Sequence, residues 1–141
     1  MLQTITLDYN KIQNQIASID EIARNKKWGL YYDEDLDSLY FSPAKIASNY
    51  SLFSVNNEYS VYVDKKSNVG GVLVEYYKSN KSSHDKRYKE LADIFSKKVT
   101  DDIKTVPDNK EGKAELLSTV IKADLLSILR QENGRVVAIP A

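Results

Sequence analysis

At 141 residues, 42% apolar and 28% charged, the chain has the size and composition of one ordinary globular domain, able to bury about 70% of its unfolded surface. It has no cysteine and a single histidine, His84, which excludes disulfide scaffolds, thiolate zinc sites and cysteine nucleophiles, and leaves no second histidine for a relay. Twenty basic and twenty acidic side chains cancel, with residues 28–80 at −3, so the chain lacks the electrostatic footprint of a duplex-DNA binder.

In chain order, Leu2, Ile5, Tyr9, Ile12, Ile16, Ile19 and Ala23 recur at spacings of three and four, which predicts one N-terminal helix within residues 4–26. Its start is ambiguous, because Thr4, Ile5 and Thr6 are β-branched and Asp8 can cap a shorter helix. Ser18 with Glu21 spells a capping box, so a restart is expected there. The stripe is expected to pack on the chain's own sheet, with helix-mediated pairing to a second copy as the alternative.

From Trp28 the period falls towards two. Trp28, Leu30 and Tyr32 alternate with Gly29, Tyr31 and Asp33, and after Asp33-Glu34-Asp35-Leu36-Asp37 the run Ser38-Leu39-Tyr40-Phe41 repeats the pattern, predicting a hairpin. Pro43 ends the second strand and a loop is expected over Ala44 to Asn49. Tyr50 to Val55, Tyr59 to Val63 and Val69 to Tyr77 read as three further strands, with turns at Asn56-Asn57 and Asp64 to Asn68. Gly70-Gly71 predicts a bulge or a close approach by another element. Short polar connections favour an antiparallel meander over a parallel sheet.

Beyond Lys78 to Ser83 the spacing of Tyr88, Leu91, Phe95, Val99 and Ile103 predicts a helix begun by Ser83 or Asp85. After Pro107, a capping box of Asp108 and Glu111 leads to a last helix with Leu117, Ile121, Leu125 and Ile128 on its apolar side, and Gly134 as its cap. Arg135 to Pro140 reads as an extended tail able to add an edge strand. The expected fold is therefore α+β: an antiparallel β-meander of about five strands (28–80) with one N-terminal helix (1–27) and two C-terminal helices (81–141), in a single domain. No apolar run approaches membrane length and Met1-Leu2-Gln3-Thr4 does not open a basic-then-apolar secretory pattern, so neither export nor membrane spanning is expected and a cytoplasmic location is.

Residues Tyr32 to Phe41, followed by Tyr59 to Glu75, give tyrosine, aspartate, an acidic stretch, then leucine and tyrosine, and later an aspartate-bearing turn and a glycine-bearing strand. This order resembles the YuzE-type small domain of unknown function. The resemblance implies the sheet and carries no catalytic residues. Because some such domains accompany toxin-like partners, it also implies an antitoxin-like role, at the level of fold analogy. The long flanking helical segments depart from that compact domain.

Three sets of residues invite chemistry. Asp33, Asp35 and Asp37 have the look of a calcium loop, but the sixth and twelfth positions are Ser38 and Ala44 where Gly and Glu are needed, so a hairpin turn with Asx hydrogen bonds is expected, with weak divalent binding as the alternative. His84 beside Asp85, Lys86 and Arg87 can titrate near neutrality, yet reads as a solvated helix-start residue. Tyrosine is the unusual residue, ten in all; alternation forces it onto both sheet faces. The expected function is a non-enzymatic interaction module, binding a protein partner through Tyr40, Tyr62 and Tyr77, with Lys45, Lys65 and Lys66 nearby. The alternatives are single-stranded RNA stacking on the same tyrosines, and a small metal-dependent enzyme. No cofactor is expected.

Overall fold

A computed structural model describes residues 4–131 and 137–140. The fold is α+β: a seven-stranded antiparallel sheet with N-terminal helices and a long C-terminal helix packed on one face of it. The first strand, β1 (Thr4–Leu7), replaces the start of the predicted helix, as its β-branched run favours. Asp8 then caps α1 (Tyr9–Ala17), accepting from the Lys11 N–H at 3.0 Å. The helix breaks at Ser18, and α2 (Ile19–Lys26) continues the stripe, so the expected single N-terminal helix is two. The predicted Ser18 cap is not made: its side chain bonds no helix N–H. α2 ends where Lys27 takes a left-handed conformation (φ 58°) and the Trp28 N–H reaches the Ala23 carbonyl at 2.8 Å.

The predicted hairpin is β2 (Gly29–Asp33) and β3 (Ser38–Ser42), and the next three strands are β4 (Ser51–Ser54), β5 (Tyr59–Val63) and β6 (Val69–Glu75). They do not form a simple meander. The strand order is β4-β5-β6-β3-β2-β8-β7, so β3 pairs with β6 and the hairpin joins the three-strand unit through its later strand. The bulge expected at the glycines is present as a register shift at Tyr62/Val63, where Gly71 and Val69 are paired and Gly70 is passed over.

The C-terminal part differs most from expectation. Instead of a helix through Tyr88 to Ile103 there is a π-turn (Tyr77–Lys81), two short helices, α3 (Ser82–His84) and α4 (Lys86–Lys89), and then two short strands, β7 (Lys97–Lys98) and β8 (Ile103–Thr105), which extend the sheet beside β2. Tyr88, Leu91 and Phe95 are buried as expected, Tyr88 on the short α4 and the other two on the irregular chain after it. One long helix follows, α5 (Glu111–Gln131), entered through a 3-10 turn at Asp108–Lys110 whose cap position is Pro107, with no side-chain cap from Asp108. The tail strand β9 (Val137–Pro140) pairs with β1 in a separate two-stranded ribbon and does not join the main sheet. The expected Gly134 cap lies outside the described residues.

The core lies between α1, α2 and α5 and one face of the sheet. Leu30 and Tyr32 of β2, Leu39 and Phe41 of β3, Tyr59, Val61 and Val63 of β5, and Val72 and Val74 of β6 meet Ile12, Ile16, Leu117, Ile121 and Leu125. α1 is pinned to the β5–β6 turn: Gln15 Nε2 donates to the Ser67 carbonyl at 2.7 Å, its Oε1 accepts from the Val69 N–H, and Lys11 Nζ donates to the Lys66 carbonyl.

Candidate functional site

Strand alternation makes the opposite, outer face from Gly29, Tyr31 and Asp33; Ser38, Tyr40 and Ser42; Leu52 and Ser54; Ser60 and Tyr62; and Gly71, Leu73 and Glu75. No residue of this face belongs to the main core cluster. Cross-strand register places Tyr31, Tyr40, Leu73 and Ser60 in one row, and Gly29, Ser42, Gly71, Tyr62 and Leu52 in the next. Leu73 is nevertheless only 5% exposed, so its neighbours shield it, while Tyr31, Tyr40 and Tyr62 stay half-buried and Leu52 is 44% exposed.

Glycines shape this surface. A Cβ on Gly70 would lie 2.5 Å from the Tyr50 ring, one on Gly29 would lie 2.9 Å from the Tyr31 hydroxyl, and one on Gly71 would press Ser42 Cβ at 2.9 Å and the Tyr62 ring at 3.4 Å. The Tyr31, Tyr50 and Tyr62 rings therefore lie against backbone that has no side chain. The outcome is a low aromatic pavement.

Its electrostatics are one-sided. Burial, then the charges of Asp33 and Glu75, raise the Tyr40 hydroxyl above its ordinary pKa; burial, then Tyr40 and Glu75, do the same for Tyr62. Both hydroxyls thus sit protonated toward the carboxylate end of the face, as hydrogen-bond donors. Lys65 and Lys66 are exposed at the opposite end, on the β5–β6 turn tied to α1, and Lys45 is exposed on the loop after β3. The described cation–π contacts, from Lys78, Lys81 and Arg87, go to Tyr32, Tyr59 and Tyr88, and none goes to Tyr40 or Tyr62.

Of the expected site residues, the structure brings Tyr40 and Tyr62 together and leaves the three lysines apart from them. Tyr77 is a correction. It is fully buried on the helix side, edge-on to Tyr88 at 6.1 Å and Phe95 at 5.9 Å, with its hydroxyl donating to the Leu91 carbonyl. β6 ends at Glu75, and Tyr76 in a left-handed conformation (φ 56°) turns the chain, so strand alternation does not extend to Tyr77. Sequence reasoning missed Tyr31, Leu52, Leu73 and Glu75 as members of the face. The available signal was the pairing of each flat tyrosine with a strand glycine.

The other candidates are spoken for. Asp33 Oδ1 accepts from the Asp35 and Leu36 N–H groups, an Asx turn. Asp37, at φ 49°, receives the Tyr32 hydroxyl at 2.6 Å and the N–H groups of Lys78 and Ser79 with the Ser79 hydroxyl, and so anchors the π-turn. Burial would raise Asp37, but these hydrogen bonds outweigh it and hold the carboxyl below the usual range. Among the described residues no three carboxylate or imidazole side chains come together to hold a metal ion. His84 is exposed.

The densest polar cluster lies on the helix side. The Tyr59 and Tyr88 hydroxyls lie 2.6 Å apart, each 2.9 Å from Asp124 Oδ2, and Arg87 bonds both oxygens of Asp124 as well as Asp85. Burial first, then Tyr88 and Asp124, raise the Tyr59 phenol far above its usual range; burial first, then Asp124, raise Tyr88, against the lowering effect of its bond to Tyr59 and of Arg87. Such phenols hold their protons and act as struts between β5, α4 and α5. A groove of about 590 Å³ beside Trp28, Phe41 and Ala114 has Asp108, Glu111 and Glu115 at its rim. Its hydroxyls are committed to backbone, Thr105 to the Leu30 carbonyl and Ser118 to that of Glu115.

No family model, curated protein or solved structure matches the chain. Among the described residues no helix is long and apolar enough to cross a membrane.

Proposed function

We propose that the protein is a non-enzymatic interaction module whose outer sheet face receives a protein partner. The observation that carries this reading is the set of half-buried Tyr31, Tyr40 and Tyr62 beside exposed Leu52, on a sheet face that no helix covers among the described residues. Flat tyrosines with donor hydroxyls suit a desolvated protein contact, where tyrosine contributes large area at low entropy cost. Asp33 and Glu75 beside the hydroxyls favour a partner presenting an arginine or lysine among apolar groups, which would meet both ring face and carboxylate.

The same carboxylates count against single-stranded RNA. Stacking on the rings is chemically suitable, but a phosphate backbone would run past negative charge while the lysines lie at the far end. The resemblance of the hairpin and the glycine-bearing strand to the YuzE-type domain is compatible with an antitoxin-like form of the same role, in which the face would cover a toxin's surface.

The test is capture of partners from the native host on wild-type protein, on Tyr40→Ser and on an α5 surface variant, Leu116→Ser. A protein retained by wild type and Leu116→Ser but lost with Tyr40→Ser is the expected result. Equal retention by wild type and both variants would remove the outer face from consideration, and salt-sensitive binding of a short single-stranded RNA lost with Tyr40→Ser would transfer the face to the RNA reading.

A further inference from the structure

The two edges of the seven-stranded sheet are built differently. β7 has two residues, both lysine, with Lys98 paired to Asp101 at 3.0 Å; a short charged strand is a guarded edge. β4, at the other edge, is Ser51-Leu52-Phe53-Ser54, with no charge, no proline and no bulge in its pairing with β5. Nothing in its chemistry discourages a further strand.

The ladder shows which of its backbone groups are free. The Val55 N–H donates to the Tyr59 carbonyl at 2.9 Å, which fixes the alternation: Ser51 and Phe53 turn their N–H and C=O groups toward β5, and Leu52 and Ser54 turn theirs outward. None of these four outward groups has a partner among the described residues; the Ser54 hydroxyl donates to its own loop, at the Asn56 carbonyl. The Leu52 side chain beside them is exposed.

We propose that β4 is the contact between two copies of this chain, paired antiparallel about a twofold axis at Phe53. That axis sets Leu52 opposite Ser54 of the second copy and Ser54 opposite its Leu52. Each facing pair exchanges two backbone hydrogen bonds, so all four free groups of each copy are satisfied at once. The strand is complementary to itself without adjustment: it carries no charge to repel its copy, and the two small serines face the two leucines. The seven strands become fourteen, and on the outer face the Tyr62–Leu52 row of each copy runs into the Ser54–Ser60 row of the other. This contact is separate from the outer-face reading above, since it uses backbone groups of β4 and leaves Tyr40 free.

The experiment is sedimentation velocity on the full chain over a concentration series, with amide hydrogen exchange on the same samples. Wild type is expected to shift to twice the monomer mass as concentration rises, with the Leu52 and Ser54 amides slowing in step. Ser54→Pro removes one outward N–H without touching the ladder to β5, and Leu52→Lys places like charges across the axis; each is expected to lose the dimer while retaining a wild-type circular dichroism spectrum. Tyr40→Ser is expected to dimerise as wild type does. A monomer at every concentration overturns the proposal, as does a dimer that survives in folded Leu52→Lys or one whose Leu52 and Ser54 amides exchange freely.

Discussion

Tyr77 and Tyr62 lie on opposite sides of one sheet and show what a tyrosine does when covered and when left open. On the helix side, Tyr59, Tyr77 and Tyr88 are fully buried, and their hydroxyls reach each other, Asp124 or the Leu91 carbonyl. On the outer side, Tyr31, Tyr40 and Tyr62 are half-buried, with the Tyr31 ring against Gly29 and the Tyr62 ring beside Gly71. The first set gives the molecule its stability, since each ring is enclosed and each hydroxyl is satisfied internally. The second set keeps part of each ring in solvent, so a smaller share of its area is removed from water on folding. That imbalance is the physical reason for assigning it to binding.

The sharpest way to break the comparison is truncation on each side. Tyr77→Ala is expected to cost about 4 kcal/mol by leaving a cavity among Tyr32, Tyr88 and Phe95. Tyr62→Ala should cost under about 1 kcal/mol, as for an open surface site. Urea unfolding of the two variants measures both, and equal losses would mean that the outer face is sealed. Next in size, Asp124→Ala removes the shared acceptor of two buried phenols and is expected to cost about 2 kcal/mol by thermal or chemical unfolding, with the far-ultraviolet spectrum kept.

Gly70→Ala tests the pavement itself. Its methyl would enter the Tyr50 ring, so a loss of about 1–2 kcal/mol is expected, recovered in large part when Tyr50→Ala is added; a double-mutant cycle without coupling would show that the ring does not rest on the glycine. The smallest effect concerns Asp37, where Asn can keep the left-handed backbone. The native carboxyl lies below its unfolded value of about 3.9, so its contribution is complete above that pH and lost as pH falls through the native value. The stability gap between wild type and Asp37→Asn should therefore be widest at neutral pH and close on acidification below about pH 4. A gap unchanged between pH 7 and pH 3, read from urea midpoints, would contradict the assignment.

How far the sequence reaches depends on how local the signal is. The β2–β3 hairpin, the Asp64 turn, the glycine bulge and α5 all follow from spacing and turn chemistry within a few residues. The segment from Tyr88 to Ile103 misleads because its apolar residues recur every three or four positions, while Tyr88 fills the core from a one-turn helix, Leu91 and Phe95 from irregular chain, and Val99 is left exposed. Lys97-Lys98 and Ile103 to Thr105 are strands only because β2 offers them an edge; their own sequence has no alternation long enough to read. The candidate site was half legible. Alternation put Tyr40 and Tyr62 on a face of their own, but the left-handed Tyr76 that sends Tyr77 to the core, and the tying of the Lys65-Lys66 turn to α1, are tertiary facts.

The pairing of β2 with β8 has a kinetic side. β2 is complete by Asp33, yet the strand that covers its second edge is Ile103–Thr105, and the Thr105 hydroxyl closes on the Leu30 carbonyl across 75 positions of chain. During synthesis the Tyr31-Tyr32-Asp33 edge therefore stands open while some seventy residues emerge, a delay of several seconds at about 5–20 residues per second. A ribosome-bound chain stalled before Ile103 would present that edge as its stickiest surface, and the few residues of β8 act as the closing latch of the nascent sheet.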